Sequence, residues 1–175
     1  MHPTEFYIYR SAIGTLLLIG SQGALHYATI AEDRDTALAR QQEIALHAEE
    51  TTTGFLTEVA ANIEAYLRGE APLNVTYSFM RGTALQRRVW EEIARIPHGQ
   101  TISYTELAAR VGKPKAVRAA ASACGANPIL LVVPCHRVLG KGGHIGGYSG
   151  YGGLDLKRRL LALEAGDDWR RAVAA

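Results

Sequence analysis

The sequence predicts an α/β protein of the α+β kind, built from two domains, and three observations carry that reading. Short apolar runs punctuated by glycine near the amino terminus read as strands, apolar stripes of helical period follow them, and the second half holds two segments of helix-turn-helix length. The charge divides at the same place. Residues 1–80 hold four Arg, no Lys and ten acidic residues, net −6, whereas residues 81–175 hold the other 15 basic residues and seven acidic ones, net +8. Lys and Arg attract phosphates and release their counterions, so the second half is the one suited to a polyanion; ordinary solvated charge would leave the same count.

A chain of 175 residues with 47% apolar content can bury one substantial core or two small ones. The longest apolar stretches, 15–19 and 129–133, fall far short of the roughly 20 residues needed to cross a bilayer. The first residues lack the basic segment and apolar core of a secretory signal, and two cysteines are too few for a disulfide framework. The expectation is a soluble, cytoplasmic protein.

In chain order, residues 6–9, 15–19 and 25–30 read as strands of a small antiparallel sheet, separated by Gly14, Gly20 and Gly23. Helices follow at about 33–48 and 53–68, the second with Phe55, Val59, Ile63 and Leu67 as a stripe facing the sheet. Arg68-Gly69-Glu70-Ala71-Pro72 reads as a helix end and turn, which puts the domains at 1–78 and 79–175. Leu73, Val75, Tyr77 and Phe79 alternate as in a strand. Thr83 and Gln86 form a capping box for a helix whose buried face is Leu85, Val89, Ile93 and Ile96, ended by Pro97 and Gly99. Residues 105–111 and 115–126, with Gly112 at the turn and Pro114 at the first helical position, match a helix-turn-helix. The second of these helices is thin and rich in alanine, with Arg118 as its long polar side chain after Lys115 at its start; it suits either close helix packing or close approach to another surface.

Residues 129–133 read as a fully buried strand that delivers Cys135 at its end. Neighbouring His136 and Arg137 favour a thiolate, although an inert buried cysteine fits the same local sequence. In the helix expected over 154–165, Leu156, Leu160 and Leu163 form one face, and Glu164 lies on its edge. A carboxylate so placed wants a partner. His136 could bind Glu164 through one ring nitrogen while the other takes the Cys135 proton, directly or through water.

Several stretches together resemble the O6-alkylguanine-DNA alkyltransferase, or methylated-DNA-protein-cysteine methyltransferase, family. They are PCHRV at 134–138, GKPKAVRAAASAC at 112–124, Asn127-Pro128, and Gly82 to Gln86 with Val89-Trp90, Ile96-Pro97, Gly99 and Ser103-Tyr104. The resemblance implies a ribonuclease-H-like α/β domain followed by a winged-helix domain whose helix-turn-helix enters the minor groove of DNA. It implies Cys135 as alkyl acceptor, His136 as its base, Glu164 as the group orienting that histidine, Asn127 as a brace of the turn, and Tyr104 as a proton donor to an extruded guanine. Arg118 would fill the vacancy in the duplex, with Thr105, Lys115, Ala119, Ala120 and Ser122 as further DNA contacts. Tyr148, Ser149, Gly150 and Val138 would form the substrate pocket. A thioether is not readily cleaved, so each molecule would act once on O6-alkylguanine, as a monomer and without a cofactor; the sequence leaves open whether O4-alkylthymine is also a substrate.

The loop 146–153 departs from the family pattern by offering two overlapping Gly-Tyr-small-Gly matches, at Tyr148 and Tyr151, of which the first is favoured. Cys124 and Cys135 lack metal-ligand spacing, so no metal is expected. Cys124 reads as a packing residue and Trp90 as core; the other histidines form no cluster. Two rivals remain at this level: a turning-over Cys-His-Glu hydrolase, which needs an oxyanion hole, and a non-catalytic lesion-binding module, against which Cys135 argues.

Overall fold

The computed structural model describes residues 4–167, which form two compact units: residues up to 80 together with 128–130, and residues 81–127 together with those from 131 onward. In the first unit, β1 (Glu5–Ser11), β2 (Gly14–Ser21) and β3 (Ala24–Ala31) form an antiparallel meander. The β2–β3 turn puts Gln22 and Gly23 both at positive φ, 52° and 72°, the backbone that matches the twist of a two-residue hairpin. β4 (Glu49–Glu50) adds to β1 in parallel, so the sheet order is β3-β2-β1-β4 and the sheet is mixed rather than purely antiparallel. Two exposed glutamates carry no strand signal; β1 recruits them after the chain returns through α1 (Arg34–Ala45).

Every residue of β2 from Thr15 to Gly20 is buried, as expected for a strand covered on both faces. Phe6, Ile8, Leu17 and Ile19 join Ala31 and Ala37 in one apolar cluster. α2 (Phe55–Leu67) also packs on β1 and β2, and its buried side chains are Leu56, Val59, Ala60, Ile63, Tyr66 and Leu67. Phe55, expected in that stripe, is only half-buried at the first helical position.

The alternation of Leu73, Val75, Tyr77 and Phe79 marks a half-buried face, yet no strand forms. A single bridge joins Tyr77 to Leu25, held by bonds between Leu25 N–H and Thr76 O (2.9 Å) and between Ser78 N–H and Leu25 O (3.0 Å). The apolar run 129–133 likewise is not a strand. Ile129 makes one bridge to Ala28, and the backbone then turns, with Leu131 at φ 71°. Burial made the run apolar, and burial does not distinguish a strand from an enclosed turn.

The second unit starts with α3 (Ala84–Ala94), whose capping box forms as the sequence predicts: Thr83 Oγ1 accepts from Gln86 N–H, and Gln86 Oε1 accepts from Thr83 N–H. β5 (Ile102–Ser103) leads into α4 (Tyr104–Arg110), and α5 (Val117–Gly125) follows across a turn. At that turn Gly112 sits at φ 72°, its N–H bonds Ala109 O and the Lys113 N–H bonds Ala108 O, a Schellman closure of α4. Pro114 is not the first helical residue, and Lys115 is not in the helix: Ala116 N–H bonds Lys113 O, so residues 113–116 form their own turn and Ala116 caps α5. Trp90 is packing, buried with its Nε1–H on Ala123 O at 2.8 Å. A short turn of 3-10 helix at Cys135–Arg137 runs into β6 (Val138–Leu139), parallel to β5, and α6 (Gly153–Glu164) closes the unit. No helix among the described residues is long and apolar enough to cross a membrane.

Two glycines test this packing. A Cβ on Gly82 would stand 2.5 Å and 2.7 Å from Trp90 ring atoms, whereas a Cβ on Gly112 meets nothing closer than 3.4 Å and suffers only its left-handed backbone. Gly112→Ala should therefore cost about 1–2 kcal/mol, and Gly82→Ala should cost more because the indole has to move. Urea unfolding of both variants checks the order.

Candidate active site

Asn127, just beyond α5, sets the turn that carries the cysteine. Its Nδ2–H donates to Val133 O at 2.7 Å, and the same carbonyl accepts the Cys135 N–H at 2.8 Å. The Asn127 side chain also hydrogen-bonds the Cys135 sulfur, which favours the thiolate. Next to it, His136 is fully buried, with Nε2 2.7 Å from Glu164 Oε1. A carboxylate only accepts, so Nε2 carries the proton and Nδ1 is the basic nitrogen of the ring.

Glu164 reaches the site from the last turn of α6 and is the most heavily bonded side chain there. Besides His136, it accepts from Arg137 Nε (2.8 Å, Oε2), Arg137 Nη2 (2.8 Å, Oε1) and the Gly99 amide (3.2 Å, Oε2), while His98 Nδ1 stands 4.0 Å away. Arg137 Nη1 also donates to Ile96 O at 2.5 Å. The sequence brought Glu164 to His136 correctly but assigned Arg137 wrongly. Its guanidinium is held by Glu164, so its charge is compensated there instead of serving the thiol.

The cation that does act on the thiol is Lys157, which sequence reasoning missed. Its side chain is buried, with Nζ donating to Val138 O (2.8 Å) and Gly147 O (3.2 Å) and lying 5.9 Å from the centre of the Tyr104 ring. Its place one turn from Leu160 and Leu161 on a helix with a leucine face was the available signal, since a lysine close to a buried stripe is either snorkelling or engaged. Burial lowers the Lys157 pKa, and the sulfurs of Cys124 and Cys135 raise it again.

Burial also decides the resting protonation. It pushes the Cys135 thiol up, against the Asn127 hydrogen bond and the Lys157 charge, and it pulls the His136 pKa down, against the Glu164 hydrogen bond. The resting pair is a thiol beside a neutral imidazole, not the thiolate that the local sequence suggests. Desolvation outweighs the neighbouring charges when both partners are enclosed.

A pocket of about 390 Å³ opens on the sulfur, lined by Tyr104, Ala121, Cys124, Gly125, Cys135, Gly147, Tyr148 and Ser149. Of the expected pocket residues, Tyr148 and Ser149 line it. Val138 does not: it is enclosed in β6, where its carbonyl holds Lys157. Gly150 is buried outside the lining, and Tyr151 is 46% exposed and also outside it. Tyr104, under burial and the nearby sulfurs, has its pKa pushed up to about 12, so it stays a hydrogen-bond donor. Along the helix-turn-helix, Thr105, Lys115, Arg118, Ala119 and Ser122 are exposed. Ala120 is not available for contact; it is 1% exposed, on the inner face of α5. Among the described residues no three His, Cys, Asp or Glu side chains group so as to hold a metal ion.

A buried cysteine opening on a pocket, followed in the chain by a carboxylate-bound histidine and carried in the same unit as a helix-turn-helix, places the chain among thiol proteins with a DNA-binding fold. The model of the 6-O-methylguanine DNA methyltransferase DNA binding domain matches residues 84–166. The methylated-DNA–protein-cysteine methyltransferase of Methanosarcina acetivorans is 36% identical over 157 residues, 90% of this chain and 96% of that one. The one from Mycolicibacterium paratuberculosis is 39% identical over 166 residues, 91% and 92% of the two chains. The crystal structure of Mycobacterium tuberculosis OGT in complex with DNA superimposes with a TM-score of 0.82 at 34% identity, covering 96% of this chain and 98% of that one. The chain belongs to the methylated-DNA–protein-cysteine methyltransferase family: it has that family's two-domain α/β fold, DNA is its partner, and it is a DNA-repair methyltransferase.

The lowered His136 pKa has a consequence for stability. Below pH 6.5 the unfolded histidine takes up a proton that the folded one refuses, so the unfolded state binds more protons and stability falls as the pH falls. Thermal unfolding followed from neutral pH into acid should show that loss, and His136→Asn should flatten its histidine-dependent part.

Proposed function

We propose that Cys135 takes the alkyl group from O6-alkylguanine in duplex DNA by direct reversal, with residues 79–175 as the DNA-binding and acceptor domain. The observation that carries the reading is the 2.7 Å contact between His136 Nε2 and Glu164 beside a cysteine that opens on the pocket. Glu164 keeps the imidazole proton on Nε2. The Nδ1 side then takes the Cys135 proton, directly or through one water, as the sulfur attacks the alkyl carbon in line with the departing guanine oxygen. Deprotonation is coupled to attack, because the resting thiol is neutral. Tyr104, lining the same pocket and protonated up to high pH, donates to the guanine as negative charge develops on it. Lys157 offsets charge at the sulfur before the carbon is reached.

A base within the stack cannot reach a thiol only 4% exposed, so the nucleotide must be turned out of the duplex. Arg118, exposed on α5 among small residues, fills the vacancy from the minor groove, with Thr105, Lys115, Ala119 and Ser122 against the backbone. Tyr148 and Ser149 wall the extruded base. The product is an S-alkyl thioether that neither water nor a second thiol readily cleaves, so one chain serves one lesion. The reading extends to a monomer and to a cytoplasmic site of action.

Intact-protein mass after mixing with a methylated duplex tests this. A gain of one methylene on the peptide containing residue 135, with no turnover beyond one equivalent, is expected; repeated turnover would instead indicate the hydrolase. Cys135→Ala should abolish transfer while DNA binding persists. His136→Ala should slow transfer by about 10²–10⁴-fold. Arg118→Ala should weaken both DNA binding and transfer, read by gel shift and by single-turnover rate.

A further inference from the structure

Cys124, a packing residue by its sequence context, shares the wall of the pocket with Cys135. Both are free thiols, 3% and 4% exposed. The backbone around Cys124 is fixed from both sides, since Trp90 Nε1–H binds Ala123 O at 2.8 Å and Asn127 N–H binds Cys124 O at 3.2 Å. Asn127 in turn bonds the carbonyl that precedes the Cys135 turn. The same side chain and backbone therefore hold both thiols in register around one space.

We infer that Cys124 is a second acceptor of this pocket: when the group received by Cys135 carries its own leaving group on the next carbon, Cys124 closes onto that carbon and the two sulfurs end joined by an ethylene bridge. The inference rests on the reading of Cys135 as the first acceptor. In the first step the Cys135 thiol proton passes to the Nδ1 side of His136, the Cys135 sulfur–carbon bond forms, and the bond from that carbon to its first leaving group breaks, the leaving group departing with the electron pair. In the second, Cys124 Sγ bonds the distal carbon, the carbon–halogen bond breaks, the halide departs with the electron pair, and the thiol proton goes to solvent. No oxidant or reductant enters.

Two physical reasons favour closure over escape. The second attack is intramolecular, between groups held in one pocket, and so gains the effective concentration that free thiols lack. The first transfer also changes the electrostatics. Burial raises the Cys124 pKa, the Cys135 sulfur raises it further, and Lys157 lowers it. Once Cys135 is a thioether it can no longer ionise in competition with Cys124, and Lys157 has Cys124 as the remaining titratable thiol of the pair. The Lys157 charge then favours the Cys124 thiolate alone.

The folded chain treated with 1,2-dibromoethane provides the test. Cleavage after Arg118 and Arg137 puts both cysteines in one peptide, 119–137. The expected product is that peptide with a single ethylene bridge, both thiol hydrogens lost and no thiol left to react with iodoacetamide. The urea-unfolded chain should give it in far lower yield, and Cys124→Ser should give only an open bromoethyl or hydroxyethyl group on Cys135. An open adduct on Cys135 in the unaltered folded chain, with Cys124 still reactive toward iodoacetamide, overturns the inference, as does equal bridging when unfolded. A parallel sample mixed with a methylated duplex separates the two readings. Methyl on Cys135 without a bridge removes only the second acceptor, whereas no methyl on Cys135 removes the reading beneath it.

Discussion

The site depends on one buried carboxylate. Glu164 accepts from His136, twice from Arg137 and from the Gly99 amide, so it ties the end of α6 to the 3-10 turn of the cysteine and to the loop after α3. A carboxylate enclosed to this degree is tolerable only because the bidentate guanidinium compensates its charge and the amide and imidazole fill its other lone pairs. Removing either charge would leave the other buried and unpaired, which costs about 3–5 kcal/mol in comparable pairs. The histidine tautomer is therefore a by-product of a structural necessity, and structure and chemistry share one group.

Enclosure sets the chemistry in a second way. The same burial that keeps His136 neutral, and so able to accept a proton, keeps Cys135 protonated and so unable to attack unaided. A resting thiolate would be more reactive toward any small electrophile. A thiol beside a neutral base reacts when a substrate carbon is in line and the proton has somewhere to go, which suits a protein proposed to spend itself on one lesion. Lys157 and Asn127 narrow the gap without reversing it.

Legibility differed from element to element, for physical reasons. The Thr83–Gln86 capping box and the glycines ending α2 and α4 were readable because they satisfy free helix ends locally, within a few residues. The run 129–133 misled, because apolarity reports burial and the turn at Leu131 has no side-chain signature. Pro114 misled similarly: it can open a helix, but here residues 113–116 close a separate turn before α5. The alternation of 73–79 named the correct half-buried face, but the segment meets Leu25 at one bridge, and a ladder needs a partner strand that local sequence cannot supply.

By itself the sequence determined the helices, the meander, the cysteine and histidine side by side, and the family, because these rest on periodicity, caps and contiguous residues. Only tertiary structure decided that Arg137 belongs to Glu164 and Lys157 to the thiol, that Cys124 faces the pocket, and that Tyr148 rather than Tyr151 lines it. Each of these depends on which charges and cavities meet after segments far apart in the chain are packed together. Burial then shifts the protonation of each group by an amount that no local pattern encodes.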